Sequence, residues 1–210
     1  MGRYLEAQCR LCRREGMKLF LKGPKCNTEK CPFTKRPYSP GFLTRKRQTR
    51  KSYYAMQLRE KQKVKRIYGM LEKQFKRFFQ LAAKSKGVTG RKLIELLERR
   101  LDNVIYRALC ALSRNEARQI VSCGFVFVNN KRVNIPSYIV KENEVITIKD
   151  EESTVKRIKG NREINKKERS VPKWMKVDDN SLKITIVRLP EKEDLILQIN
   201  EQYIVELYSK

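Results

Sequence analysis

Apolar residues recur at three- and four-residue steps over residues 101–112, the spacing that gathers them on one face of a helix. A second helix is predicted to begin at Ser113, because Ser113 and Glu116 fit a capping box in which each side chain accepts a hydrogen bond from the other residue's amide. Gly124 should end this helix, since glycine readily adopts the left-handed backbone found just after a helix. The inward-facing residues of the pair are Leu101, Val104, Ile105, Ala108, Leu112, Ala117, Ile120 and Val121.

The sequence after the helix pair predicts strands. Residues 125–128 should begin a hairpin, because Asn129–Asn130 can adopt the positive φ angles of a two-residue turn. Further strands are expected at residues 137–140, 145–148 and 182–189. The only tryptophan, Trp174, should return to the core. Residues 149–170 are so charged that a loop with a fraying helix is expected, and the chain should end in a helix from about Asn200.

The chain before residue 92 is predicted to be mainly helical. Residues 45–66 contain ten Lys or Arg and a single acid, Glu60, with tyrosines and glutamines between them. Like charges four residues apart on a helix repel each other, so an anionic partner is expected beside this segment. A second helix should bury one apolar face made of Ile67, Leu71, Phe75, Phe78, Phe79 and Ala82.

The charge of the chain indicates the class of its partner. A net charge of +26 implies a polyanion, because each neutralised phosphate releases condensed counterions. Residues 1–92 hold 27 Lys or Arg against 5 Asp or Glu, a net +22, whereas residues 93–210 carry only +4. No apolar run approaches the about 20 residues of a membrane-spanning helix, and no signal-peptide pattern opens the chain. We therefore expect nucleic acid as the partner and no membrane.

Four of the six cysteines fall within the first 31 residues at the spacing C-x2-C-x13-C-x4-C: Cys9, Cys12, Cys26 and Cys31. The first pair resembles a zinc knuckle, and since the chain has no histidine, a site with four thiolates and one structural Zn²⁺ is expected. Disulfides are the alternative, disfavoured in reducing cytosol. The metal would staple a basic segment that has little core of its own.

Polar residues of the helix pair and the hairpin tip are predicted to form one basic, amide-rich surface. Arg100, Asn103 and Arg107 fall on a different face of the first helix from its apolar residues and are expected to be free for a partner. The other candidates here are Arg114, Arg118, Gln119, Asn130, Lys131 and Arg132. Candidates in the basic N-terminal part are Arg3, Lys35, Arg36, Arg45, Lys46, Arg47, Tyr53, Gln57 and Lys61. Ordinary solvated arginines are the alternative interpretation.

Residues 100–137 resemble the small RNA-binding module named after small-subunit ribosomal protein four. The match is carried by Arg100-Leu101-Asp102-Asn103, Ser113-Arg114, Ala117-Arg118-Gln119, Gly124, Val128-Asn129 and Val133-Asn134-Ile135-Pro136-Ser137. It extends through nearly the whole chain, which is similar to the bacterial-type small-subunit ribosomal protein four family in its zinc-cysteine form. Many relatives have a histidine-bearing glycine turn where this chain has Gly41-Phe42-Leu43-Thr44, so no contact is carried over at that loop.

The resemblance implies an α+β fold with a mainly helical N-terminal domain. In the family the C-terminal tail packs back on the N-terminal helices, so the central module is an insertion in which a helix pair packs on a small, mostly antiparallel sheet. The expected parts are a zinc-stapled basic extension (1–45), a helical domain (46–91) completed by the tail (193–210), and the inserted RNA-binding module (92–192).

The resemblance also implies a function. The implied protein is a non-enzymatic constituent of the small ribosomal subunit. It would bind the five-prime domain of the ribosomal RNA at a helix junction and initiate assembly. The resemblance implies a place near messenger RNA entry beside small-subunit protein five, a part in translational accuracy, and ribosomes in the cytoplasm of a bacterium or in an organelle. Messenger RNA is a further partner known in the family.

Two other classes of function are weighed against this one. An RNA-modifying enzyme of the pseudouridine synthase type can carry the same module, but it requires a catalytic domain that no motif here indicates. A zinc-dependent DNA-binding regulator would need a recognition helix with a dimerisation element, and neither heptads nor a second copy of the motif is present. Both alternatives therefore have less support than a structural RNA-binding protein.

Overall fold

The computed structural model describes residues 4–41, 52–178, 181–191, 194 and 199–209. The chain divides into two compact units, one formed by residues 1–93 with 197–210 and the other by residues 94–196. Since the first unit takes residues from both ends of the chain, the second unit is inserted into it. Within the described residues, no helix is long and apolar enough to cross a membrane.

The described part of the first unit is helical. Its elements are α1 (Gln8–Glu15), a 3₁₀ turn (Gly23–Cys26), α2 (Pro32–Lys35), α3 (Tyr53–Ile67), α4 (Glu72–Lys84), the start of α5 (Thr89–Glu98) and the C-terminal α9 (Glu201–Tyr208). The Ser52 hydroxyl caps α3 by accepting a hydrogen bond from the Ala55 amide at 3.2 Å. On α4, Phe75, Phe78 and Ala82 are buried, as predicted, and Phe79 is half-buried. The rest of the predicted face is wrong: Ile67 is the last residue of α3, and Leu71, just before α4, is 45% exposed.

Helix α9 packs against α3 and α4, and the prediction of a C-terminal helix is confirmed. The Tyr53 hydroxyl and the Gln57 amide, both on α3, donate hydrogen bonds to the Glu206 carboxylate. In the same last turn of α9, Tyr208 stacks on Phe79 with the ring centres 4.5 Å apart. Both polar and aromatic contacts therefore hold the end of the chain on the N-terminal helices.

Glu72, the first residue of α4, gathers hydrogen bonds from two other helices. Lys61 Nζ and Lys65 Nζ of α3 lie 2.6 Å and 3.0 Å from its carboxylate oxygens, and the Tyr208 hydroxyl donates to Oε1 at 2.9 Å. Partial burial opposes ionisation of this carboxyl, but these hydrogen bonds prevail and lower the pKa of Glu72 to about 2. Glu72 is therefore ionised at neutral pH and joins α3, α4 and α9.

The second unit contains a five-stranded antiparallel sheet in the order β2-β1-β3-β5-β4. Its strands are β1 (Val126–Val128), β2 (Lys131–Arg132), β3 (Val145–Ile148), β4 (Met175–Val177) and β5 (Ile184–Ile186). The predicted hairpin is confirmed, since Asn129 and Asn130 have φ angles of 48° and 64°. The predicted strand at 137–140 is wrong: an isolated bridge from Ile139 to Arg100 stands in its place.

Three helices share one core with this sheet: α6 (Leu101–Arg107), α7 (Arg114–Ser122) and α8 (Glu152–Lys166). Helix α8 corrects the prediction of a loop with a fraying helix. Its buried face contains Ile158, Asn161 and Asn165, and the Asn165 amide donates to the carbonyls of Leu109 and Ala111 at 2.9 and 3.1 Å. Because this face is largely polar, α8 lacks the apolar periodicity by which a packed helix is recognised in a sequence.

Of the two hydrogen bonds of the predicted capping box at the start of α7, the one accepted by Ser113 is confirmed. The Ser113 hydroxyl accepts a hydrogen bond from the Glu116 amide at 3.2 Å, as predicted. The Glu116 carboxylate, however, accepts from the amide of Leu112 at 2.7 Å and from Arg157 Nη2 and Asn161 Nδ2 of α8 at 2.7 and 3.1 Å. Glu116 thus fastens α8 to the start of α7.

Candidate nucleic-acid interface

Glu98, the last residue of α5, is buried under the polar side of α6 and is 1% exposed. Arg107 donates to it in a bidentate pair, with Nε 2.9 Å from Oε2 and Nη2 3.0 Å from Oε1. Asn103 Nδ2 donates both to Oε2 at 3.0 Å and to the Glu98 carbonyl at 3.1 Å. A buried ion pair persists when such additional hydrogen bonds satisfy its remaining polar atoms.

Asp102 forms a second buried cluster with two arginines. Arg100 is fully buried, and its Nε and Nη2 donate to Asp102 Oδ1 and Oδ2 at 3.1 and 2.7 Å. Arg118 of α7 is 9% exposed and donates through Nη1 to the same Oδ2 at 3.4 Å. One carboxylate therefore connects the start of α6 with the middle of α7.

The prediction that Arg100, Asn103 and Arg107 lie on a free face of α6 is wrong, since they are 0%, 1% and 4% exposed. All seven residues of α6 are buried, including Asp102 and Tyr106, so this helix has no solvent-facing side. The physical reason is that the acids Glu98 and Asp102 draw these side chains inward. Their observed contacts hold helices together.

Arg114, at the start of α7, is half-buried and oriented by two contacts. Its Nε donates to Asn103 Oδ1 at 2.9 Å, and its Cζ lies 4.4 Å from the centre of the Tyr106 ring. Because Asn103 is itself fixed by Glu98, a chain of hydrogen bonds runs from the buried acid to this arginine. Gln119, further along α7, is exposed.

At the other end of α7 the hairpin tip is exposed. Arg132 donates from Nε to the Gly124 carbonyl at 3.0 Å and from Nη2 to the Cys123 carbonyl at 3.3 Å, and so it caps the helix. A Cβ atom on Gly124 would clash with this guanidinium, and its φ of 76° also favours glycine. We call the exposed and half-buried set along this helix the α7 surface: Arg114, Gln119, Asn130, Lys131 and Arg132.

The candidates of the first unit divide into exposed and engaged side chains. Lys35 and Arg36 are exposed at the end of α2, and Tyr53 is 51% exposed although its hydroxyl donates to α9. Gln57 and Lys61 are buried, because their side chains donate to carboxylates of α9 and α4. The remaining candidates lie outside the described residues: Arg3, Arg45, Lys46 and Arg47.

The N-terminal cysteines line one small pocket formed by α1, the 3₁₀ turn and the start of α2: Cys9, Cys12, Cys26 and Cys31. All four are free thiols. Within the described ranges, no three or more Cys, Asp or Glu side chains stand in a geometry ready to hold a metal ion. The structure therefore brings the four predicted ligands to one place without arranging their sulfur atoms as a metal site.

Backbone amides point at two of these sulfur atoms. The Lys22 amide donates to Cys26 Sγ at 3.4 Å, although burial still raises the pKa of Cys26. Burial likewise raises the pKa of Cys12. At Cys31 burial acts in the same direction, but hydrogen bonds from the amides of Phe33 and Thr34 outweigh it and lower the thiol pKa.

Sequence reasoning missed the acids that organise this interface. Glu98 lies nine residues before Arg107 and on a different helix, so no three- or four-residue spacing relates them. Asp102 stands close to Arg100 in the sequence, but an acid in the first turn of a helix is ordinarily explained by the helix dipole. The only feature of the sequence that could have indicated these buried ion pairs is the density of opposite charges where α5 meets α6.

Removing Glu98 should destabilise the fold strongly, because its ion pair with Arg107 is buried. Glu98→Ala leaves the Arg107 guanidinium buried without its carboxylate, so the free energy of unfolding should fall by about 3–5 kcal/mol. Glu151→Ala provides the control, because its pair with Lys149 is solvent-exposed and should contribute about 1 kcal/mol or less. Urea unfolding followed by circular dichroism measures both. Equal, small losses for the two variants would refute a stabilising role for Glu98.

Comparisons with known proteins identify the family of the chain. The family profile described as Ribosomal protein S4/S9 N-terminal domain matches residues 3–98, and that described as S4 domain matches residues 99–146. Proteins named small ribosomal subunit protein uS4 match over the whole of both chains: 53% identity in Caldicellulosiruptor saccharolyticus, 51% in Halothermothrix orenii and 50% in a Thermoanaerobacter species. Given this identity over its full length, the chain belongs to the small ribosomal subunit protein uS4 family.

Proposed function

We propose that this protein is a structural, non-enzymatic constituent of the small ribosomal subunit that binds ribosomal RNA. The observation that carries the proposal is the α7 surface, in which cations and amides face solvent at positions fixed by contacts with the module beneath. Arg114 is held by Asn103 and Tyr106, and Arg132 by the end of α7. Family membership over the full chain, with relatives named as small-subunit proteins, supports the same conclusion.

The chemistry of the α7 surface suits the backbone of folded RNA. Arg114, Lys131 and Arg132 can donate to phosphate oxygens, while the amides of Gln119 and Asn130 can both donate to and accept from sugar hydroxyls. A-form RNA displays its phosphates and 2′-hydroxyls across a wide, shallow minor groove. Recognition of backbone shape therefore fits this surface better than readout of base edges.

The finer role that we propose is binding of the five-prime domain of the small-subunit RNA at a helix junction, early in assembly. Several phosphate backbones converge at such a junction, and the net +22 of residues 1–92 would compensate their repulsion. A position near messenger RNA entry beside protein five, with a part in translational accuracy, belongs to the same proposal. Its support is the family likeness, and its setting would be a bacterial-type ribosome in the cytoplasm or in an organelle.

We also propose that the N-terminal cysteines hold one structural Zn²⁺. The donor set fits this metal in kind and number, since Cys9, Cys12, Cys26 and Cys31 line one pocket and thiolate sulfur is a preferred zinc ligand. The amides directed at Cys26 and Cys31 would stabilise the thiolate form of those ligands. Bound zinc would cross-link α1 to the segment around α2, and it would supply stability with no part in chemistry on RNA.

The enzymatic alternative has less support than the structural one. A pseudouridine synthase would require a catalytic domain beside the RNA-binding module. The two family profiles together cover residues 3–146, and the relatives named above match the whole chain as ribosomal proteins. We therefore assign no catalytic role to any residue.

Binding to RNA should be selective and steeply dependent on salt. We expect the protein to bind a transcript of the five-prime domain in the presence of excess tRNA and duplex DNA. The logarithm of its binding constant should fall linearly with the logarithm of the salt concentration. Lys131→Gln should reduce the log–log slope by about 1, because one phosphate contact is lost. Filter binding between about 0.1 and 0.5 M KCl measures both quantities.

Lys183→Gln serves as the control for this variant. Lys183 is also exposed in the second unit but lies outside the α7 surface, so the salt slope should stay near that of the wild type. Equal affinity of the wild-type protein for all three nucleic acids would mean that net charge alone explains binding and would contradict the proposed function.

Metal analysis tests the zinc proposal. The purified protein should contain about one Zn²⁺ per chain, and Cys26→Ser should lose it because a four-thiolate site tolerates the loss of a ligand poorly. Cys123→Ser is the matched control, since Cys123 is exposed and belongs to the other unit. Chelation should also speed proteolysis within residues 9–36. A protein without zinc whose N-terminal segment resists proteolysis equally well would overturn the proposal.

A further inference from the structure

Arg169 lies just beyond α8 and reaches back across the second unit. Its Nη2 donates to the Ala111 carbonyl at 3.3 Å and to Asn165 Oδ1. Its Cζ lies 4.2 Å from the centre of the Tyr106 ring. The contacts with Ala111 and Tyr106 join Arg169 to residues far away in the sequence, and the sequence offered no local signal for them.

Arg169 and Arg114 share this one aromatic ring. Both guanidinium carbons lie within 4.4 Å of the Tyr106 ring centre, although one arginine follows α8 and the other begins α7. Tyr106 itself is 3% exposed, whereas the two arginines are half-buried. The ring therefore serves as a buried platform on which two solvent-accessible cations rest.

The described hydrogen bonds of Arg169 do not pair it with a carboxylate. Its described hydrogen-bond acceptors are a carbonyl and an amide oxygen, both neutral. Burial lowers the pKa of Arg169. The neighbouring Tyr106 and Glu168 oppose this shift, whereas the guanidinium groups of Arg114 and Arg107 reinforce it. An arginine nonetheless stays protonated in a protein, so two like charges are held close together at the surface.

Arg169 also retains donors for a ligand. Among the described residues, both of its hydrogen bonds to protein use Nη2. Nε and Nη1 of Arg169 donate no hydrogen bond to the described residues, and the side chain is half-buried, so it keeps contact with solvent. A bound anion would meet these donors and relieve the repulsion between the two cations.

We propose that Arg114 and Arg169, stacked on Tyr106, form a phosphate clamp for the RNA backbone and extend the α7 surface to the end of α8. Tyr106 is a positioning residue, because it restricts both guanidinium groups without meeting the RNA. Preorganisation of this kind reduces the side-chain entropy lost on binding. The inference rests on the proposed function and adds a contact residue from a different helix.

Substitution of Arg169 tests the clamp. In the five-prime-domain transcript assay, Arg169→Gln should reduce the log–log salt slope by about 1 and weaken binding roughly 5- to 10-fold at 0.1 M KCl, since one phosphate contact contributes a slope of about 0.9. Arg169→Lys keeps the charge but loses the planar stack, so its affinity should fall between those of the wild type and Arg169→Gln. Thermal unfolding of each variant shows whether the module remains folded.

Lys159→Gln is the matched control, because Lys159 is an exposed cation of α8 outside the clamp. It removes the same charge and should change the slope and the affinity much less than Arg169→Gln. Equal effects of the two variants would mean that only net charge matters and would overturn the clamp. An Arg169→Gln variant that is folded and binds like the wild type would overturn it as well.

Two results separate this inference from the proposed function. If the wild-type protein prefers the transcript to tRNA and duplex DNA but Arg169→Gln binds normally, the clamp fails and the proposed function stands. If the wild-type protein shows no preference, the proposed function fails. Tyr106→Leu gives an independent check on folded protein: loss of the platform should weaken binding with both arginines present, and unchanged affinity would contradict the positioning role.

Discussion

The burial of Glu98 against Arg107 and Asn103 is the interaction on which the α7 surface depends. A carboxylate taken out of water requires several well-placed donors, and these donors come from α6. The same asparagine then orients Arg114 at the start of α7. A stability requirement in the interior thus orients a side chain at the surface, so Arg114 is positioned before any RNA binds.

The strong positive charge of the chain serves two purposes that its composition cannot distinguish. Some cations compensate buried acids: Arg100 and Arg118 meet Asp102, and in the first unit Arg59 and Arg66 meet the nearly buried carboxylate of Glu15. Others lie exposed or half-buried at the surface, and those that we propose as RNA contacts cluster at the ends of α7 and α8. The surplus of +26 therefore overstates how many residues can contact RNA directly.

The elements that could be predicted from the sequence are those in which local pattern and tertiary packing agree. The helix pair, the Asn129–Asn130 hairpin and α9 follow from apolar periodicity and turn chemistry. Helix α8 was not predicted as a packed helix, because amides such as Asn165 occupy its buried face, where apolar residues would be expected. The candidate site was only partly predictable, since helical spacing shows which face a residue occupies but not whether a distant acid covers that face.

The arginines of the second unit divide into buried groups that hold helices together and accessible groups that we propose bind RNA. Modification by phenylglyoxal, read out by peptide mass spectrometry with and without the five-prime-domain transcript, tests this division directly. We expect Arg114, Arg132 and Arg169 to react in the free protein and to be protected by RNA, whereas Arg100 and Arg107 should stay unreactive in both states. Rapid modification of Arg100 and Arg107 in the folded free protein, with protection by RNA, would contradict it.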